Sequence, residues 1–214
     1  LYGRVAEALA IYGGWRFRQT EYGLTLAWRI GEGRPEIVEA VAAVAFNPHM
    51  QESEGTPRRD IRPLARTVLA SLGHSAAPFG DSAFALISAR DPLGTGAAQV
   101  AAAAGHPHAL AKITRLMSES MSSVPDAKAI PRQMRDRLYE LAYAVLFAGE
   151  AGRAHLAPIL RLMDRRVESW APPFGMVELR PKRMCAVLRM IGRDTPDSID
   201  RYPYCTDARI PYEQ

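Results

Sequence analysis

Residues 105–117 read GHPHALAKITRLM, and residues 152–163 repeat their pattern as GRAHLAPILRLM. A weaker copy, GRPEIVEAVAAVA, begins at Gly33. In each copy a glycine ends an apolar run, a polar or basic residue follows, and a second apolar run begins with helical spacing. This pattern is typical of a helix-turn-helix hairpin that is repeated along a chain.

A proline-led helix is expected after each of these glycines. The prolines lie 24 to 29 residues after the glycines and are Pro57, Pro131 and Pro181. Proline is tolerated in the first turn of a helix, because the N–H that it lacks would have no intrahelical partner there. The steady spacing supports a repeat, and the 72 residues between Gly33 and Gly105 require one degenerate unit around residues 58–90.

Each expected helix carries one apolar stripe, which predicts its buried face. The stripes are Ile37, Val41 and Val44; Ile61, Leu64, Val68 and Leu72; Leu110, Ile113, Met117 and Met121; Met134, Leu138, Leu141, Val145 and Ala148; and Leu156, Ile159, Met163 and Val167. Residues 97–104 form a helix with little side-chain bulk, so we expect its neighbours to approach closely. Residues 169–179, SWAPPFGMVEL, are expected to form a loop.

Residues 15–30 fit two interpretations. Leu24, Leu26, Trp28 and Ile30 alternate with other residues as in a half-buried strand. In contrast, residues 21–33 align with residues 140–152, which have a clear helical pattern. We expect a helix on the strength of this alignment, and a β-hairpin remains the alternative.

Two-helix units of this size, with an early proline and a glycine in the turn, resemble HEAT-type repeats. The resemblance covers about residues 21–192. It implies an all-α fold, a right-handed array of about four antiparallel helical hairpins. We expect residues 1–193 to form the repeat domain and residues 194–214, rich in Tyr and Pro, to be an irregular tail packed on the last hairpin. The resemblance further implies a long surface for another macromolecule, and enzymes are uncommon in such arrays.

The composition is that of a folded globular protein, because 48% of the residues are hydrophobic and only 23% are charged. The longest weakly polar run, residues 97–104, is much shorter than a membrane-spanning helix, so we expect no membrane span. The net charge of +4 is mildly basic, and basic residues are concentrated between Arg153 and Arg193. The sequence begins at Leu1, so we expect the native start to lie upstream.

Two cysteines are too few for a disulfide framework or a zinc site. A bridge between Cys185 and Cys205 would indicate a periplasmic or secreted protein, whereas two thiols would fit a reducing cytoplasm, and both alternatives remain open. The Gly94-Thr-Gly96 segment is too short for a phosphate-binding loop and lacks its lysine. No motif for nucleophilic catalysis is present, and we expect no cofactor and no enzymatic activity.

Three cationic or imidazole side chains directly follow the repeat glycines: Arg34, His106 and Arg153. A row of such side chains could bind an acidic protein or nucleic-acid phosphates, or could simply keep the surface soluble. His108 and His155 each lie three residues after a repeat glycine. These imidazoles could converge on a metal ion, or could face solvent at the start of the second helix.

The aromatic residues Trp170 and Phe174 are a candidate contact site, since exposed aromatic residues in ordered loops often anchor interfaces. They could equally be packed over the last hairpin. Directly after them, Arg180, Lys182 and Arg183 add to the basic face that ends at Arg193.

These observations favour a protein-protein interaction module, an adaptor or an inhibitor of the immunity-protein type, whose partner has an acidic surface. The alternative is a nucleic-acid-binding repeat protein that uses the basic face between Arg153 and Arg193. A third hypothesis is a metal-dependent hydrolase centred on His106, His108 and His155.

Overall fold

Helices account for most of the chain that the computed structural model describes, namely residues 17–30, 34–47, 61–90, 92–171 and 175–179. The chain divides into two units, Leu1–Ala109 and Leu110–Gln214. The expected all-α class therefore holds in its coarse form. The helix expected from Pro181 and the tail at residues 194–214 lie outside the described residues. None of the described helices combines the length and apolar character needed to cross a lipid bilayer.

The first unit contains five α-helices and one 3-10 helix in its described part: α1 Phe17–Ile30, α2 Pro35–Phe46, α3 Arg62–Ser71, the 3-10 helix Gly73–Phe79, α4 Gly80–Leu86 and α5 Pro92–Ala103. Helix α5 packs against α3 and α4, and α3 packs against α1 and α2. Residues 97–103 of α5 are all buried, which confirms that this alanine-rich helix lies where packing is tight.

The described part of the second unit contains α6 Ala109–Ser122, which begins at the boundary, α7 Arg132–Phe147, the 3-10 helix Gly149–His155, α8 Ala157–Asp164 and the strands β1 Val167–Ala171 and β2 Gly175–Leu179. The strands pair antiparallel, with Val167 opposite Leu179 and Ala171 opposite Gly175. Ile130 adds a parallel bridge to Val167, and its N–H donates to the Arg166 carbonyl at 2.8 Å. Helix α7 packs against β1.

The β-hairpin shows that the loop predicted for residues 169–179 was wrong. Valine, the residue at positions 167 and 177, favours extended backbone in general. The two prolines of the segment fall between the strands in sequence and are not among the paired residues. For residues 17–30 the helical alternative is confirmed, since α1 buries Leu24 and Ala27 on one face.

Most of the predicted stripes are buried, including all of Ile37, Val41 and Val44 in α2. Leu64 in α3 is an exception, because it is 38% exposed while Arg62 and Arg66 are buried. Arg66 Nε donates to the Ala45 carbonyl at 2.9 Å, and Arg62 Nη1 reaches the Asn47 carbonyl at 3.4 Å. These carbonyls lie at the C-terminal end of α2, where cations are favoured. The buried face of α3 therefore includes its two arginines.

Three helices end at a glycine with positive φ: Gly73 at 57°, Gly105 at 69° and Gly149 at 56°. At Gly105 the N–H donates to the Ala102 carbonyl and the next N–H, of His106, donates to the Ala101 carbonyl, which is a Schellman motif. Gly152 instead lies buried inside a 3-10 helix. The sequence alignment of Gly105 with Gly152 was therefore wrong, and Gly149 is the conformational equivalent of Gly105.

Candidate functional site

Helix α1 exposes two large apolar side chains. Trp28 is 57% exposed and Leu26 is 48% exposed, although Leu24 and Ala27 in the same helix have no exposed area. The helical spacing places two further exposed side chains between Trp28 and Leu26. We name this face the α1 surface; it consists of Thr25, Leu26, Trp28 and Arg29.

Sequence reasoning did not single out the α1 surface. Trp28 and Leu26 were read only as members of an apolar pattern. On a helical wheel, however, Leu24 and Ala27 define the buried face. Trp28 and Leu26 then lie at the two edges of the exposed face. This helical phase is the signal that could have identified them.

His106 is enclosed by three neighbours at the C-terminal end of α5. Its ring stacks on Phe84 with 4.0 Å between centroids and 12° between planes. Its Nε2 lies 3.4 Å from Oδ1 of Asp81, and its Nδ1 accepts the backbone N–H of His108 at 3.2 Å. Only 11% of the His106 side chain is exposed.

These contacts engage both ring nitrogens of His106. Because Nδ1 accepts a hydrogen bond, the proton of the neutral ring lies on Nε2, facing Asp81. A nitrogen that already accepts a backbone N–H is not available to a metal ion or to a substrate proton. The geometry therefore gives His106 a role in ordering the turn between α5 and α6, while the exposed His108 ring lies edge-on to it at 5.9 Å.

A groove in the second unit contains His155. One wall is a face of α6, and the other is the end of the 3-10 helix and the start of α8. The groove has a volume of about 340 Å³. We name it the His155 groove; its lining residues are Ala111, Thr114, Arg115, Ser118, Ala154, His155 and Pro158.

The cationic residues predicted from the sequence lie in different surroundings. Arg34 is exposed at the start of α2. Arg153 Nε lies 3.0 Å from Oε2 of Glu150. Arg161 and Arg166 are exposed. Arg165 is only 6% exposed, so this member of the basic stretch belongs to the core of its unit rather than to its surface.

Several predicted site residues cannot be placed. The Trp170 backbone pairs with Met176 in the β-hairpin, but its side chain lies outside the described residues. Five further residues also lie outside them: Phe174, Arg180, Lys182, Arg183 and Cys185. Cys205 also lies outside the described residues, so a Cys185–Cys205 bridge and two free thiols both stay open as alternatives.

Among the side chains that the structure describes, no three His, Cys, Asp or Glu residues form a group that could hold a metal ion. His106 and His108 belong to the first unit and His155 to the second. The metal-dependent hydrolase therefore gains no support from the described geometry.

The comparisons with known proteins found no match for this chain. This holds for protein-family models, for curated proteins and for solved structures. The resemblance to HEAT repeats consequently depends on the residue pattern alone, and a function must be argued from the surfaces described above.

Proposed function

We propose that this chain is a protein-protein interaction module and that its partner binds at the α1 surface. The observation that supports this proposal is the 57% exposure of Trp28. Tryptophan is highly buried on average in folded proteins, and it is among the residues most enriched in interface hot spots. An exposed tryptophan on an ordered helix therefore favours a site that is covered when a partner binds.

The magnitude of the apolar contribution agrees with this role. A tryptophan buries about 200 Å² when fully covered, and each Å² is worth about 25 cal/mol, so covering the exposed part of Trp28 would stabilise a complex by about 3 kcal/mol. Leu26, at the other edge of the exposed face, would add to this.

The partner that fits this surface carries acidic groups next to an apolar patch. Arg29 lies between Leu26 and Trp28 on the helix surface. A guanidinium between two apolar side chains pairs best with a carboxylate that the complex partly desolvates. The module would act as an adaptor or as an inhibitor of the immunity-protein type, which differ in whether the bound partner loses its own activity.

We also propose that the helices form a HEAT-like array of antiparallel hairpins. In the first unit α2 packs against α3, α4 packs against α5, and α3 packs against α5, as expected when consecutive helix pairs stack. The positive-φ glycines at three helix ends support the same idea.

Site-specific crosslinking tests the proposed function. A photo-reactive phenylalanine analogue at Thr25, one turn from Trp28, should form an adduct with a partner protein in extract of the native host. The substitution Trp28→Ala in the same chain should weaken binding about 30-fold, the equivalent of about 2 kcal/mol, and remove the adduct. The same analogue at Ala43, exposed on α2, is the control for non-specific adducts.

The crosslinking result also distinguishes a protein partner from the nucleic-acid alternative. Adducts to nucleic acid, with binding that weakens steeply as salt is raised, would favour a role for the exposed Arg161 and Arg166. A Trp28→Ala chain that binds its partner as tightly as the parent would refute the α1 surface.

A further inference from the structure

Two half-buried polar side chains, His155 and Ser118, line the His155 groove. In the part of the chain that the structure describes, no group hydrogen-bonds the half-buried His155 imidazole or the half-buried Ser118 hydroxyl. Thr114 differs, because its hydroxyl already donates to the Leu110 carbonyl at 2.9 Å. Both side chains are therefore available to exchange a hydrogen bond with water for one with a ligand in the groove.

The charge of the groove is positive. Arg115 lines it, and none of the lining residues that the structure describes is acidic. Glu119 forms an ion pair with Arg115, but its Oε1 lies 3.7 Å from the Arg115 Nε, which is beyond hydrogen-bond distance. Both side chains of this pair are more than 60% exposed, at 67% and 63%, so the pair is weak. The guanidinium is therefore free to turn toward an anionic group in the groove.

The small residues of the groove set the size of its ligand. Ala111, Ser118, Ala154 and Pro158 leave an open channel along α6. From Ala111 to Ser118 the helix advances about 10 Å, since each residue rises about 1.5 Å. An extended peptide covers that length with about three residues at about 3.3 Å each.

We propose that the His155 groove binds a three-residue extended segment of a partner protein through the side-chain carboxylate of a central Glu or Asp. Arg115 pairs with the carboxylate in the middle of the channel, as charge-assisted hydrogen bonding favours. His155 and Ser118 bind the same oxygens or the flanking peptide groups. The groove lies in the second unit, and this assignment does not depend on Trp28 in the first.

Peptide titration of the full chain, followed by NMR of the His155 ring protons, tests the assignment. The probe is an N-acetylated, C-amidated Ala-Glu-Ala peptide, which has no terminal charges. We expect saturable shifts with a dissociation constant of about 1 mM, because one charge-assisted contact on an open surface binds weakly. The Ala-Gln-Ala peptide should bind at least 10-fold more weakly.

Variants locate the contact. Arg115→Gln should weaken Ala-Glu-Ala binding at least 10-fold, and Ser118→Ala should weaken it by a smaller factor. Lys128→Gln removes an exposed cation of the same unit that does not line the groove, and it should leave binding unchanged. Circular dichroism of each variant checks that the helices are intact.

Three outcomes would overturn the assignment. One is the absence of a saturable shift with Ala-Glu-Ala, and another is equal binding of the Glu and Gln peptides. The third is binding of acetate or inorganic phosphate as tight as that of the peptide, since a simple anion site would explain it without an extended segment.

Discussion

Nη1 of Arg165 lies 2.7 Å from Oδ1 of Asp126, a residue 39 positions earlier in the chain. The Nη2 of the same guanidinium donates to the carbonyls of Val124, Pro125 and Lys128 at 2.9 to 3.2 Å. The Asp126 side chain is 84% exposed, whereas Arg165 is buried. One buried arginine therefore organises the loop that joins α6 to α7.

Replacing Arg165 by Met should lower the free energy of unfolding by about 3 kcal/mol, since three backbone carbonyls would lose their donor. Asp126→Asn should cost less than about 1 kcal/mol, because the exposed carboxylate is screened by water. Urea denaturation followed by circular dichroism measures both. Equal losses for the two variants would mean that the ion pair, and not the carbonyl contacts, provides the stability.

The stack between His106 and Phe84 should be visible as a coupling energy. Each single alanine substitution is expected to destabilise the first unit, and the double variant should lose about 0.5 to 1.5 kcal/mol less than the sum of the two losses. His74→Ala is the control, because it removes an exposed imidazole elsewhere in the same unit. Strictly additive single losses would argue against the stack.

Gly94 and Gly105 should respond differently to alanine. A Cβ on Gly94 would lie 2.7 Å from the Leu86 carbonyl oxygen and from the Ser88 backbone, so the chain must shift. We expect a loss above about 2 kcal/mol. A Cβ on Gly105 meets nothing within 4 Å, and only its φ of 69° is strained, at a cost of about 1 kcal/mol. Thermal unfolding of the two variants shows which substitution lowers the stability more.

The buried stripes of the second unit predict large losses on truncation. Leu138→Ala and Leu156→Ala should each cost about 2 to 5 kcal/mol, since both side chains are almost fully buried. Leu64→Ala, at a partly exposed position of the first unit, should cost less than about 1 kcal/mol. Denaturant titration compares the three variants. A loss below about 0.5 kcal/mol for Leu138→Ala would contradict the assigned face.

The sequence alone predicts which face of a helix is buried when the buried residues are apolar. Ile113, Met117 and Met121 lie on the buried side of α6 as predicted, because area removed from water dominates the orientation of a surface helix. The orientation of α3 could not be read in the same way. Its buried arginines are held by hydrogen bonds to carbonyl groups at the end of another helix. The periodicity of the sequence does not indicate such an interaction.

The candidate site residues named from the sequence stay predictions. His155 was named from the sequence, and it does line a groove. The residues that shape that groove, such as Ala111 and Ala154, carry no chemistry of their own, so no motif marks them. The exposure of Trp28 likewise depends on which other elements cover α1, which is a tertiary property.

Arg165 also determines the order in which the second unit can be completed. A ribosome delivers the carbonyls of Val124 and Pro125 about 40 residues before it delivers the guanidinium that binds them. At about 5 to 20 residues per second, this interval lasts roughly 2 to 8 s. During translation the loop between α6 and α7 is therefore made before the arginine that binds it. The first unit can fold in this interval, because all of its residues have been made once Ala109 is added.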